Sequence, residues 1–358
     1  MSRPAVATIR LDNLRHNYQL ARQLHGGRAL AVVKANAYGH GAVECSRALL
    51  GLADGFGVAC IEEALQLREA GIQAPILLLE GFFSEDELPL IAQHRLWTAL
   101  HSPEQLAMLQ AWPGKERFPV WLKLDSGMHR LGFDVAGFRS AFATLQQLDC
   151  VEDIVLMSHF SRADELACDD AERQTALFDE ARRGLESEAS LSNSAGILAQ
   201  PLAQRQWGRP GIMLYGATPL DGDHALASQL RPVMQLQSEV IALHRVAAGE
   251  PIGYGHRWVA PRDTLLATVA MGYADGYPRA TANGCPVLVD GQLASIAGRV
   301  SMDMIMVDVT AVVDARVGSK VLLWGEALRP ELVAAHAGTI PYEMFCNIKR
   351  VRFEYQGG

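Results

Sequence analysis

The chain has 358 residues, 49% of them hydrophobic and 20% charged, with a formal net charge of −8 at pH 7. That length and composition suit a soluble globular protein with more than one domain and a large core. The acidic balance, without any basic cluster, argues against a nucleic-acid partner, and no apolar run approaches membrane-spanning length.

In chain order, Arg28 to Val33 (R-A-L-A-V-V) is a short, apolar, β-leaning run, so Lys34 falls at the C-terminal end of a buried strand. Gly39-His40-Gly41 reads as a flexible turn and Ala42 to Leu50 as a helix, whose N-terminus would favour an anion such as phosphate. Gly55 to Ala59 is the next strand, followed by a helix over Ile61 to Ala70 that stops at Gly71. Pro75 to Leu79 comes next, then Ser84 as an N-cap with Glu85, Asp86 and Glu87 in the first turn. Leu96 to Leu100 precedes a second cap, Ser102-Pro103-Glu104. Phe118 to Leu124 and Ile154 to Met157 are further strands, backed by helices over Asp134 to Gln147 and Asp170 to Gly184. Leu191 to Ser194 and Arg205 to Leu214 read as two more short crossings of the core.

About eight strand–helix units in succession favour a parallel α/β fold, and among these a closed (β/α)8 TIM barrel. No G-x-G-x-x-G follows the first strand, against a dinucleotide site. Polar residues just past barrel strands face the active-site mouth, and Lys34, Arg130, His159, Ser194 and Arg209 all occupy such positions. Near Gln229 the pattern changes to successive β-leaning runs: Val233 to Ala242, Thr264 to Ala270, Pro286 to Val289, Met304 to Val309 and Val321 to Trp324. Asp290-Gly291 is a hairpin signal, and one helix is expected between Pro330 and Ala337. The expected organisation is a barrel over 1–228 and a mostly β domain over 229–358, with the extreme N-terminus able to pair with the latter. Met1 to Arg15 has no apolar stretch of the secretory-signal kind. Cys45, Cys60, Cys150, Cys168, Cys285 and Cys346 are scattered without a C-x-x-C pair, which suits reduced thiols in a cytoplasm better than disulfides or a metal site.

Ala31 to Gly41, A-V-V-K-A-N-A-Y-G-H-G, carries the most chemistry. A lysine at the mouth of an apolar interior has its amine desolvated, which lowers its pKa and suits it to Schiff-base formation. The segment Lys34 to Gly41 is similar to the pyridoxal phosphate attachment segment of alanine racemases. The likeness extends through Lys123-Leu-Asp-Ser-Gly-Met-His-Arg-Leu-Gly132, Ser158-His-Phe160, Asn193-Ser-Ala195 and Arg209-Pro-Gly-Ile212. It continues in Gly253-Tyr-Gly255, Met271-Gly-Tyr-Ala-Asp-Gly-Tyr277, Gly298-Arg-Val-Ser-Met-Asp303 and Pro341-Tyr-Glu343. The resemblance implies a barrel plus β domain, a pyridoxal 5'-phosphate cofactor, a small amino-acid substrate and a homodimer with shared active sites.

It also implies roles. Lys34 holds the cofactor and is one base, acting on D-alanine; Tyr254 is the other, acting on L-alanine. The phosphate is held by Tyr38, Ser194 and Tyr342 hydroxyls and the Gly211 and Ile212 amides, with Pro210-Gly211 as the exposing turn. Arg209 sits at the ring nitrogen, with His159 between it and Tyr254. Arg130 and the Met302 amide hold the substrate carboxylate, Tyr273 and Tyr342 narrow the entrance, Asp303 supports, and Lys123 resembles a lysine carbamylated in some members. Ser301 departs from members with cysteine at that position.

Two physical consequences attach to these roles. Forming a phenolate near pH 7 costs roughly 4 kcal/mol, so Tyr254 needs nearby positive charge. A guanidinium does not readily give its proton to the ring nitrogen, which should limit side transamination. A racemase of broader range acting on serine, lysine or arginine, a decarboxylase on a related barrel and a non-catalytic cofactor carrier remain as alternatives. The β domain bearing Tyr254 argues against the carrier. Supply of D-alanine and its breakdown are equally compatible with these residues.

Overall fold

The structure, a computed structural model, describes residues 3–357. Its strands are β1 (Val6–Arg10), β2 (Arg28–Val32), β3 (Gly55–Val58), β4 (Ile76–Leu78), β5 (Trp97–Leu100), β6 (Phe118–Lys123), β7 (Val151–Met157), β8 (Glu188–Ser190) and β9 (Trp207–Gly208). They continue with β10 (Met234–Val246), β11 (Pro251–Ile252), β12 (Trp258–Val259), β13 (Thr264–Val269), β14 (Pro286–Val289), β15 (Gln292–Ile296), β16 (Ile305–Asp308), β17 (Lys320–Trp324) and β18 (Arg352–Gln356). Two compact units result, one of residues 14–214 with 218–230, the other of 3–13, 215–217 and 231–357.

In the first unit β2 to β9 form one parallel sheet in the order β8-β7-β6-β5-β4-β3-β2-β9, the barrel expected from the alternation. Side chains bridge its seam. The Ala189 N–H donates to Gln206 Oε1 at 2.9 Å, the Ser190 hydroxyl to the Trp207 carbonyl at 2.8 Å, and Trp207 Nε1–H to Glu188 Oε2 at 2.8 Å. Leu30, Leu77, Trp121, Val155, Met157 and Trp207 form a core cluster, with the Trp121 and Trp207 rings 5.7 Å apart.

Three local expectations change. The eighth strand ends at Ser190 rather than running over Leu191 to Ser194, because Asn193 Oδ1 accepts the Gly196 N–H at 2.9 Å and starts a helix at Ser194. Of Arg205 to Leu214 only Trp207–Gly208 is strand; Pro210 brings no N–H to a ladder, and Ile212–Tyr215 turns into a 3-10 helix. Ser84 makes no side-chain cap; Glu87 Oε1 accepts the Phe83 N–H at 3.0 Å, and the acidic run forms a 3-10 turn ahead of the Leu88–Gln93 helix. Ser102 does cap its helix, accepting from the Gln105 N–H.

In the second unit β10 pairs with both β17 and β13, so β10, β17, β14, β15, β16 and β13 make a closed antiparallel ring. β1 lies antiparallel to β10 and parallel to β18, extending this sheet at one side. Asp290 and Gly291 both have positive φ, as the two-residue hairpin between β14 and β15 requires. Among the described residues no helix is long and apolar enough to cross a membrane.

Candidate active site

Lys34 lies two residues beyond β2 and is half-buried. The segment after it is not the flexible turn that Gly39 and Gly41 suggest. Ala35, Asn36, Ala37 and Tyr38 have φ between 50 and 54° and ψ between 43 and 50°, a full turn of left-handed helix. Such a conformation costs roughly 1–2 kcal/mol per residue, so its surroundings must over-determine it. They do. Glu63 accepts the Ala35 N–H at 2.6 Å through Oε1 and the Ala59 N–H at 2.8 Å through Oε2. The His40 ring, fully buried, lies with Nδ1 2.9 Å from the Tyr38 carbonyl. Asn36 Oδ1 accepts the Ala42 N–H at 2.8 Å, tying the turn to the N-terminus of the Ala42–Leu49 helix.

Around this lysine the barrel gathers cations. Lys123 ends β6, and burial, then the charges of Arg209, Arg130 and Lys34, bring its amine from 10.5 down to about 8, against Glu80. Burial first, and then the same cations, hold His159 well below its ordinary value, so the ring is neutral near pH 7. Arg209 is 4% exposed and has no carboxylate within ion-pair distance among the described residues. Its Nη1–H donates to Ser190 Oγ, and its Nη2 donates to the Ser158 carbonyl at 2.6 Å and the Leu191 carbonyl at 3.2 Å. Nη2 also lies 3.5 Å from His159 Nδ1, which favours the tautomer with its proton on Nε2. Burial lowers the guanidinium to about 10, still charged at neutral pH.

Arg130 is exposed, on a turn that Asp125 pins through the Gly127 and His129 N–H groups, both at 3.0 Å. Gln174, 4% exposed, joins the loops after β6 and β7 by donating to Ser126 Oγ and to the His159 carbonyl, each at 3.1 Å. Sequence reasoning missed Gln174 and Ser190; both lie outside the motifs, and only the fold brings them to the site.

A cradle for an anion lies between β8 and β9. Ser194 Oγ accepts the Gly211 N–H at 2.8 Å and the Met213 N–H at 3.3 Å, which leaves its own proton to donate. A Cβ on Gly211 would lie 2.6 Å from Tyr38 Oη and 3.9 Å from Ser194 Oγ, so only glycine leaves this space open. The Ile212 N–H has no acceptor among the described residues. These donors fit a phosphate, the cation group fits a carboxylate and a phenolic oxygen, and half-buried Lys34 offers the amine for covalent attachment. The residues present therefore suit pyridoxal phosphate.

The remaining expected residues lie in the mostly β unit. Tyr254, 70% exposed, stands on a 3-10 turn between Gly253 and Gly255, both at positive φ. Tyr273 and Met302 are brought together: the Tyr273 N–H donates to the Ser301 carbonyl at 3.0 Å and the Ala274 N–H to the Met302 carbonyl at 2.9 Å. The Met302 N–H donates to no acceptor among the described residues. Asp303 accepts from Arg350 at 2.8 Å. Tyr342 is half-buried in the Pro341–Asn347 helix. Among the described residues no hydrogen bond joins Tyr254 to the Tyr273 and Met302 segment.

A parallel barrel with a half-buried lysine just past its first strand, an anion cradle and a second, mostly β unit fits the class of barrel enzymes that use pyridoxal phosphate on amino acids. Residues 9–219 match the family model "Alanine racemase, N-terminal domain" and residues 233–355 match "Alanine racemase, C-terminal domain". A catabolic alanine racemase of Pseudomonas putida is 56% identical over 355 residues, 99% of each chain. The crystal structure of a biosynthetic alanine racemase from Pseudomonas aeruginosa superposes with a TM-score of 0.96 at 47% identity, covering 99% of this chain and 100% of that one. An alanine racemase from Bartonella henselae with covalently bound pyridoxal phosphate gives a TM-score of 0.89 at 32% identity over 98% and 99% of the two chains. The chain belongs to the alanine racemase family, pyridoxal phosphate-dependent isomerases that interconvert L- and D-alanine.

Proposed function

We propose that Lys34 and Tyr254 are the two bases of this racemase, each serving one face of the substrate α-carbon. Pyridoxal phosphate, when bound, stabilises the negative charge left on that carbon after proton loss. Racemisation then requires one group to take the proton and another to return one from the opposite side. Lys34 serves the D-alanine proton and Tyr254 the L-alanine proton. Neutral His159, with its proton on Nε2, can donate a hydrogen bond that steadies a phenolate on Tyr254. Charged Arg209 would face the cofactor's ring nitrogen and keep its own proton. Tyr38, Ser194, Tyr342 and the Ile212 amide would hold the phosphate, with the Gly211 amide joining them on release from Ser194 Oγ; Arg130 and the Met302 amide would hold the substrate carboxylate. Lys123, with its amine near 8 amid cations, is a candidate for carbamylation, since a carbamate would place an anion among them.

The observation that carries this reading is the buried, carboxylate-free Arg209 against His159, beside the Ser194–Gly211 cradle. We read the working form as a cytoplasmic homodimer that shares its sites, which accounts for a base as exposed as Tyr254; Cys45, Cys60, Cys150, Cys168 and Cys285 form no disulfide, as suits a reducing compartment. Mixing inactive Lys34→Ala and Tyr254→Phe subunits tests it. Activity regained in heterodimers supports a shared site, and none regained in proven heterodimers refutes it. Assay across a panel of amino acids should favour alanine; faster racemisation of lysine or arginine would replace this reading by the broader one.

A further inference from the structure

The amide assigned to the substrate carboxylate belongs to a short loop, and the grip on that loop comes from elsewhere. The Gly272–Gly276 and Ser301–Met304 segments are in backbone contact, for a Cβ on Gly272 would lie 2.3 Å from the Met302 carbonyl oxygen. Asp275, fully buried, sits beneath them. Its Oδ2 accepts the Gly272 N–H at 3.0 Å and Arg3 Nη2 at 2.7 Å. The same Arg3 nitrogen donates to the Asp303 carbonyl at 2.9 Å. Arg350 Nη2 donates to Asp303 Oδ1 at 2.8 Å, while its Nε approaches Asp275 Oδ1 to 3.6 Å. The Asp275 carbonyl in turn accepts the Lys349 N–H at 3.0 Å. Arg350 adopts this position at φ 54°, a left-handed conformation that a non-glycine residue keeps only where its surroundings impose it.

Two arginines from opposite ends of the sequence therefore hold both the main chain and the side chain of the residue after Met302. We propose that Arg350, with Arg3, Asp275 and Asp303, forms an ionic clamp that aims the Met302 N–H at the substrate carboxylate. These are positioning residues: none is assigned to substrate or cofactor, and they act through the amide. The proposal rests on the reading of Met302 given above. Loosening the clamp should weaken every ligand that presents a carboxylate at that point and leave the cofactor, to which none of the four clamp residues is assigned, as it was.

The test uses the holoenzyme with propionate, which has alanine's carboxylate and carbon skeleton without the amine. Arg350→Met is expected to raise KM for alanine and the propionate inhibition constant together, each about tenfold, the scale of one charge-assisted hydrogen bond. Pyridoxal phosphate affinity should change less than about twofold on the same scale. Arg350→Lys should recover part of the loss. If Arg350→Met leaves Asp275 too poorly paired to fold, Asp303→Asn, on a half-exposed side chain, decides by the same constants. KM and the inhibition constant both unchanged in a folded variant overturn the clamp. Met302→Pro, which deletes the amide proton, separates the two ideas. Both constants raised there but unchanged in Arg350→Met reject the clamp alone. Both unchanged in Met302→Pro reject the amide reading and the clamp with it.

Discussion

Gly211→Ala tests the anion cradle most directly. Gly211 does not have the positive φ that would exclude alanine, so the backbone accepts the change. The new methyl, however, would lie 2.6 Å from Tyr38 Oη and 3.4 Å from its Cζ. Restoring an ordinary contact of 3.4 Å moves the hydroxyl by 3.4 − 2.6, about 0.8 Å. Tyr38 is 8% exposed and its main chain is locked in the left-handed turn, so the ring has little room to yield. A charge-assisted hydrogen bond to phosphate lost in this way is worth about 1.5–3 kcal/mol, or roughly ten- to 150-fold in affinity. Titration of apoprotein with pyridoxal phosphate, followed by absorbance, should show that loss with Tm unchanged. Titration with pyridoxal, which lacks the phosphate, should not. Equal weakening for both ligands, or none for either in a folded variant, would refute the assignment of the cradle.

Other substitutions probe other parts. Lys123 is 7% exposed, and lowering its amine from 10.5 to about 8 costs the folded apoprotein roughly 3 kcal/mol at pH 7. Between those two values the unfolded chain binds more protons, so stability rises with pH there. Lys123→Met should be more stable than the parent by about 3 kcal/mol below pH 8, a gap that closes by about pH 10.5; equal urea midpoints at pH 7 would contradict this. Tyr254→Phe should slow α-proton exchange from L-alanine more than from D-alanine, whereas equal slowing in isotope exchange removes the two-base assignment. Asn36→Ala loses both a helix cap and a residue tolerant of left-handed φ, about 2 kcal/mol together, while Asn36→Gly should cost under about 1 kcal/mol. Thermal unfolding that ranks alanine above glycine would show that the turn is not left-handed.

The barrel was legible because each strand–helix unit repeats one hydrophobic period, so Ala31, Phe56, Leu77 and Leu122 announce a shared core whatever their partners. Motif residues past the strands were legible for the same reason, since strand order sends them to one end. The left-handed turn was not. Alanines at 35 and 37 have a strong right-handed preference, and it is overruled by Glu63, which reaches back from the Ile61–Glu69 helix, together with the nearer contacts of Asn36 to Ala42 and of buried His40 to Tyr38, none of which residue propensity announces. The Arg3–Asp275–Arg350 group is similarly remote, its members 272 and 75 positions apart in sequence. Asp275 sits within a motif that was noticed, but nothing local shows that it would be fully buried.

The electrostatics of the barrel unit bear on what these groups bind. Lys34, Lys123, Arg130 and Arg209 each act on His159 with the same sign, and desolvation adds to them. A folded chain that draws four cations around one neutral histidine is not minimising its own energy. Arg209 is kept charged by three hydrogen-bonded oxygens and not by a carboxylate, so its charge remains available to whatever binds beside it. An anionic cofactor and a substrate carboxylate are the partners such a group of cations favours, and each binds more firmly because no carboxylate among the described residues neutralises Arg209 first. A carboxylate partner for Arg209 would stabilise the chain itself, yet it would cancel the field that the phenolate proposed at Tyr254 would need. The positive charge gathered in the barrel is therefore the counterpart of the chemistry performed there.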